Sequence, residues 1–222
     1  NRSREVHIGL VGKYVKLHDA YLSVAEAMNH AGYELNTFVK IHWIDSENIR
    51  SDNVKDILEG LDGIIVPGGF GNRGIEGMIL SANYARENQI PYFGICLGMQ
   101  IAVIEFARNV LGLKDAHSGE FDEQCEYKVI DFMPGQSEEI DKGGTLRLGS
   151  YPCSIKAGTK MEQCYGGKLI HERHRHRYEF NNKYREELIG AGLVISGTSP
   201  DERLVESVEL KEHPFFVGVQ FH

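Results

Sequence analysis

Apolar and polar positions along the chain change period several times, and each change marks an element. Residues 6–14, VHIGLVGKY, are a short apolar run reaching Gly12, which reads as a strand. From Asp19 to His30 the apolar residues Leu22, Val24, Ala25, Ala27 and Met28 suit one face of a helix, with Gly32 as its expected terminator. LNTFVKIHWID at 35–45 alternates as a second strand, VKDILEGL at 54–61 predicts a short helix, and GIIVPGG at 63–69 a third strand. Ile75 to Glu87 reads as helical. The run IPYFGICLGMQIAVIEFAR at 90–108 then supplies a strand and a helix joined at Cys96. Four β-then-α units in succession predict an α/β fold, a three-layer α/β/α sandwich around a mostly parallel, doubly wound, flavodoxin-like sheet.

After Leu113 the pattern loosens into shorter strands. HSGEFDEQ at 117–124 is too polar for a core and reads as a loop at the site, while MPGQSEEIDKGG at 133–144 reads as a surface excursion. ERHRHRYEF at 172–180 is a strand candidate, and HPFFVGVQFH at 213–222 is a last apolar strand running into His222. With no repeat or low-complexity tract, 222 residues suit one large domain. The formal net charge of −8 opposes nonspecific attraction to nucleic acid or anionic membrane, so a small polar substrate fits better. Cys96, Cys125, Cys153 and Cys164 are widely spaced and show no CxxC pair, which suits a reducing, cytoplasmic setting. No apolar run approaches the roughly 20 residues that span a bilayer.

The chemistry centres on Cys96. Gly94 and Gly98 bracket it where a strand gives way to a helix, the layout of a nucleophile elbow. A sulfur at a helix N-terminus gains from the helix dipole, and the Leu97 N–H points where an oxyanion would form. The competing reading is a buried, inert cysteine. His222, at the C-terminal end of the last strand, would share the sheet edge with Cys96 and act as its base, raising the thiolate fraction. GGFGNRG at 68–74 matches GxGxxG at Gly69, Gly71 and Gly74, but it follows the third strand and no ribose-binding acid is evident. Close approach to a substrate is the better use of these glycines, with the Gly69 N–H as second oxyanion donor. In 172–180, Arg173, Arg175 and Arg177 alternate with His174 and His176, so the two sets face opposite sides of a strand. The histidines lack a recognisable third metal ligand, and no metal is expected; the arginines suit a carboxylate, which one guanidinium can grip with two hydrogen bonds.

PGGFG, GICLGMQ and a strand ending in QFH together resemble the class I glutamine amidotransferases. Within them VGKYVKLHDAYLSVAEA, PGGFGNRGIEGM, GGTLRLG and ERHRHRYEFN are similar to the glutaminase domains of CTP synthases, over nearly the whole chain. The resemblance implies that Cys96 attacks the side-chain amide of L-glutamine to give a γ-glutamyl thioester and ammonia, with His222 as general acid and base. It implies a glutamine site of Gly69, Phe70, Leu97, Gln100, Glu120 and Arg177, with Glu120 on the α-ammonium and Arg177 on the α-carboxylate. The family's third triad member is a Glu two positions beyond the histidine, and this chain ends before it; a polypeptide that stopped there is expected to hydrolyse glutamine poorly. The resemblance further implies an amidoligase domain N-terminal to residues 1–222, which uses ATP and magnesium to aminate UTP, GTP as allosteric activator, and a homotetramer built through that domain. Arg147 is expected on the surface that answers to GTP. Other class I glutaminases, a γ-glutamyl hydrolase and a non-catalytic regulatory module are the alternatives.

Overall fold

The computed structural model describes residues 2–69, 71–132 and 146–222. The expected excursion at 133–144 and Phe70 lie outside the described residues. The chain opens with β1 (Arg4–Gly12), α1 (Leu22–Glu34), β2 (Thr37–Asp45), α2 (Val54–Leu58), β3 (Gly63–Val66), α3 (Ile75–Glu87), β4 (Tyr92–Ile95) and α4 (Leu97–Asn109). These are the four β-then-α units read from the periodicity. Gly32 does not end α1, as expected, but lies inside it. Its α-carbon passes so close to β2 that a Cβ would stand 2.5 Å from the Thr37 carbonyl oxygen, so the glycine permits packing, and the turn falls instead on Asn36 at φ 50°.

β5 (Ala116–Ser118), β6 (Tyr127–Asp131) and β9 (Glu179–Phe180) form a small separate sheet, which takes the first residues of the expected 117–124 loop. β7 (Arg147–Ile155), α5 (Lys160–Tyr165), β8 (Leu169–His176), α6 (Arg185–Gly190), β10 (Val194–Thr198), β11 (Val205–Glu209) and β12 (Phe216–Val219) complete the chain.

The main sheet has the order β2-β1-β3-β4-β12-β11-β10-β7-β8. From β2 to β12 all neighbours are parallel. From β12 to β8 all are antiparallel. The doubly wound expectation thus holds for the half made by the βα units, and the sheet as a whole is mixed. Apolar clusters cover both of its faces. Residues of α2, α3, α4 and α6 pack with Ile64, Tyr92 and Phe216 on one side; Phe93, Val217 and Val219 point the other way, onto Met161 of α5. Near the β1–β2 edge, Leu10, Val15 and Tyr21 meet Val24 of α1. Because β3, β4 and β12 run parallel, their C-terminal ends bring Gly68, Cys96 and His222 to one edge.

Candidate active site

Cys96 stands between β4 and α4 with φ 54° and ψ −102°, a conformation that side-chain-bearing residues rarely hold. Close packing imposes it. A Cβ on Gly98 would lie 2.0 Å from the Val66 carbonyl oxygen, and one on Gly94 2.3 Å from the Gly98 oxygen. Only glycine lets the first turn of α4 sit this tightly on β3 and β4. The bend is fixed on both sides: the Cys96 N–H donates to the Val219 oxygen at 2.7 Å, and the Met99 and Gln100 N–H groups donate to the Cys96 oxygen at 3.1 and 3.3 Å. The Tyr92 hydroxyl, fully buried, donates to the Gly98 oxygen at 2.7 Å.

Cys96 opens into a cavity of about 390 Å³ that is also lined by Gly69, Leu97, Gln100, Glu120, Leu146, Arg175, His176, Arg177 and Tyr178. The structure thus brings together Cys96, Gly69, Leu97, Gln100, Glu120 and Arg177, which are separated by up to 108 positions in sequence. His222 approaches from β12. A Cβ placed on Gly68 would be 2.8 Å from the His222 Cε1 and 3.5 Å from the Cys96 Cβ, so imidazole and thiol flank this one glycine. The His222 N–H donates to the Arg173 oxygen at 2.8 Å, and its ring hydrogen-bonds to the Arg175 main chain. Burial holds the His222 imidazole below its usual pKa, with the charges of His174 and Arg175 acting the same way, so it rests neutral and able to accept a proton.

The thiol departs from its expected state. Burial pushes Cys96 up to about 12, and hydrogen bonds from the Leu97 N–H and Gln220 only partly offset this, while the carboxylates of Glu120 and Glu179 add to it. Desolvation of a sulfur that is only 7% exposed thus favours the thiol over the thiolate. The resting pair is a neutral thiol beside a neutral imidazole.

Charge around the cavity is balanced locally. Burial raises Glu120, and the facing Lys13 pulls it back; Lys13, itself lowered by burial to about 8, donates from Nζ to the Gly71 oxygen on the glycine loop. Arg173, Arg175 and Arg177 are exposed while His174 and His176 are buried, the alternation read from the sequence. The two histidines are occupied. His174 Nε2 lies 2.8 Å from Glu206, His174 Nδ1 lies 2.7 Å from His176 Nε2, and His176 Nδ1 faces the Tyr178 oxygen at 3.1 Å.

Arg147 corrects an expectation. It is largely buried at the floor of an open groove: its guanidinium meets Glu206 at 2.8 Å and Glu179 at 3.1 Å. Burial opposes the Arg147 charge, but both carboxylates win and raise it. Burial likewise works against the Glu206 carboxylate, yet hydrogen bonds from His174 and Arg147 hold it below the usual range. Glu179 is driven by burial to about 8, with the Glu206 charge acting the same way and Arg147 and Arg203 only partly offsetting it. One arginine neutralises one carboxylate, and the other keeps its proton. Among the described residues, Lys13, Gly68, Leu146, Tyr178 and Gln220 belong to the site and were not singled out from the sequence. Gln220 lay within the QFH signature, but nothing in its spacing says that it reaches the sulfur.

The family model described as glutamine amidotransferase class-I matches residues 16–222. The chain is 61% identical over 220 residues to a CTP synthase of Clostridium acetobutylicum and 60% identical over 222 residues to one of Listeria innocua. It spans 41–42% of the length of these relatives. A solved structure of the glutaminase domain of Trypanosoma brucei CTPS with bound acivicin superposes with a TM-score of 0.92 at 41% identity, covering 98% of this chain and 85% of that one. A putative GMP synthase subunit from Thermoplasma acidophilum shares the fold at TM-score 0.59 and 16% identity. With an elbow cysteine, a facing histidine and a match over most of its length, this chain belongs to the class I glutamine amidotransferases.

Proposed function

We propose that the chain is the glutaminase part of a CTP synthase and hydrolyses L-glutamine to glutamate and ammonia. One observation carries this reading above the others: the strained Cys96 opens into a cavity that also presents a carboxylate, Glu120, and the arginines Arg175 and Arg177. A glutamine main-chain end offers the complementary ammonium and carboxylate. The 60% relatives and the acivicin-bound neighbour support the same assignment.

The chemistry follows from the neutral resting pair. As Cys96 Sγ attacks the amide carbon, its proton passes to the His222 imidazole, and the oxygen takes up the negative charge against the N–H groups of Leu97 and Gly69. The imidazolium then gives that proton to the leaving nitrogen, so that ammonia departs and a γ-glutamyl thioester remains. Water, deprotonated by His222, cleaves the thioester and restores the thiol. Gly69, Leu97, Gln100, Glu120 and Arg177 hold the substrate. The ammonia would serve an amidoligase domain that uses ATP and magnesium to convert UTP to CTP, with GTP as activator and a homotetramer as the assembly. Among the described residues no helix is long and apolar enough to cross a membrane.

The test is intact mass after incubation with an electrophilic glutamine analogue, for the wild-type chain beside Cys96→Ala. A single adduct, lost in the variant and slowed by free glutamine, is expected. No adduct on the wild type, or one that survives Cys96→Ala, would overturn the assignment.

A further inference from the structure

Gln220 lies two residues before His222 on the segment leaving β12 and is fully buried, with its main-chain N–H donating to the Glu206 oxygen at 2.8 Å. Its side chain spans two partners: Nε2 is 3.5 Å from Cys96 Sγ, and Oε1 is 3.2 Å from Gln100 Nε2. The two ends of an amide have nearly the same shape, so its orientation has to come from its neighbours. Here one neighbour decides. The Tyr178 carbonyl can only accept, and it lies 3.2 Å from Gln100, so the NH₂ end of Gln100 faces it. That same NH₂ faces Gln220, which must present its oxygen there. The donor end of Gln220 is left pointing at sulfur.

We infer that Gln220 is a catalytic hydrogen-bond donor to the Cys96 sulfur, oriented through Gln100 by the carbonyl of Tyr178, and that it stabilises the negative charge that develops on sulfur during attack and thioester cleavage. A thiol sulfur accepts a hydrogen bond weakly and a thiolate strongly, so a fixed donor gains more from the charged form. Both side chains are held in the interior: Gln220 is 0% exposed and Gln100 3%. The Leu97 N–H acts on the sulfur in the same direction, and the Glu120 carboxylate opposes both. Tyr178 adjoins Arg177 in the chain, so the orienting carbonyl belongs to the segment that grips the substrate in the proposed function. The inference rests on that reading for its turnover readout alone.

The experiment uses Gln220→Met in the full-length protein, a side chain of similar length with no donor. Two quantities are measured: the rate of Cys96 alkylation by iodoacetamide, which needs no glutamine site, and steady-state glutamine hydrolysis. Alkylation and kcat are each expected to fall about tenfold, as for a one-unit rise in thiol pKa, with KM within about twofold. Loosened packing would expose the buried thiol and speed alkylation, so a merely structural role has the opposite sign. Gln100→Met, which frees Gln220 to turn, is expected to slow alkylation by a smaller factor. Unchanged or faster alkylation in a folded Gln220→Met protein overturns the inference; should that variant fail to fold, unchanged alkylation in Gln100→Met does so. Slowed alkylation in a protein whose wild type does not hydrolyse glutamine would sink the glutaminase reading and leave the donor role standing.

Discussion

At the scale of single residues, Gly68 has both the His222 ring and the Cys96 β-carbon within reach of a built Cβ. Gly68 separates the His222 ring from Cys96, and any Cβ there would have to move the imidazole, whose Cε1 would be 2.8 Å away. Gly68→Ala is expected to lower kcat by about 100-fold, because displacing a catalytic group by an ångström costs about that much. Thermal unfolding should stay within a few degrees of wild type, since the added methyl meets a side chain at the sheet edge and not the core. Steady-state kinetics beside a melting curve check both parts. Arg177 is a binding group by this account. Removing one charge-assisted contact as Arg177→Met should raise KM for glutamine by roughly 10- to 100-fold while kcat changes little. An equal fall in kcat with KM unchanged would place Arg177 in the chemical step.

At the scale of elements, the elbow exists because α4 is pressed against β3 and β4. The helix has an almost wholly buried sequence, Leu97 to Ala107, so it cannot slide outward to make room without exposing that face. Gly98 is where the contact is tightest, and the obstacle is the Val66 main chain, which has no rotamer to change. Gly98→Ala is therefore expected to destabilise the fold by about 3 kcal/mol, the upper part of the overpacking range, with loss of activity. Urea unfolding would measure it; a shift below about 1 kcal/mol would show that β3 can yield. Much of this was legible in the chain: the glycines at 94 and 98 and the change of period at 96 mark the elbow. The helix end at Gly32 was misread because a glycine that ends a helix and one that admits a neighbouring strand look alike in sequence. Only the position of Thr37 in space distinguishes them.

At the scale of the whole molecule, the antiparallel half of the sheet is stitched to the site by the buried group of Arg147, Glu206, Glu179, His174 and His176. Arg147→Met would leave the Glu206 carboxylate buried with its main counter-charge gone, at a cost of about 3–5 kcal/mol in urea unfolding. The same group shapes stability against pH. His176 is held by burial, helped by the charges of His174 and Arg147, at about 3 against an ordinary 6.5, so it stays neutral in the fold; its contribution is whole above pH 6.5 and is lost as pH falls toward 3. Glu179 has the opposite sign. Raised from 4.5 to about 8, it favours the fold fully below pH 4.5 and loses that contribution as pH rises to 8. Below pH 4.5 the depressed Glu206 adds to the acid loss. Urea midpoints between pH 4 and 9 should show His176→Gln flattening the limb below 6.5 and Glu179→Gln the limb between 6.5 and 8. Limbs unchanged by both substitutions would assign the pH response elsewhere.

The chain by itself determined the βα units of the first half, the elbow and the family, because each rests on local periodicity, on glycine spacing or on short motifs. The alternation of arginines and histidines in β8 was also readable, since a strand's two faces follow from a period of two. Tertiary structure alone decided that Arg147 is buried between two carboxylates, that the thiol rests protonated, and that Gln220 aims its donor at sulfur. Those are matters of desolvation and of contact between residues as much as 124 positions apart, and neither has a sequence period from which it could be read.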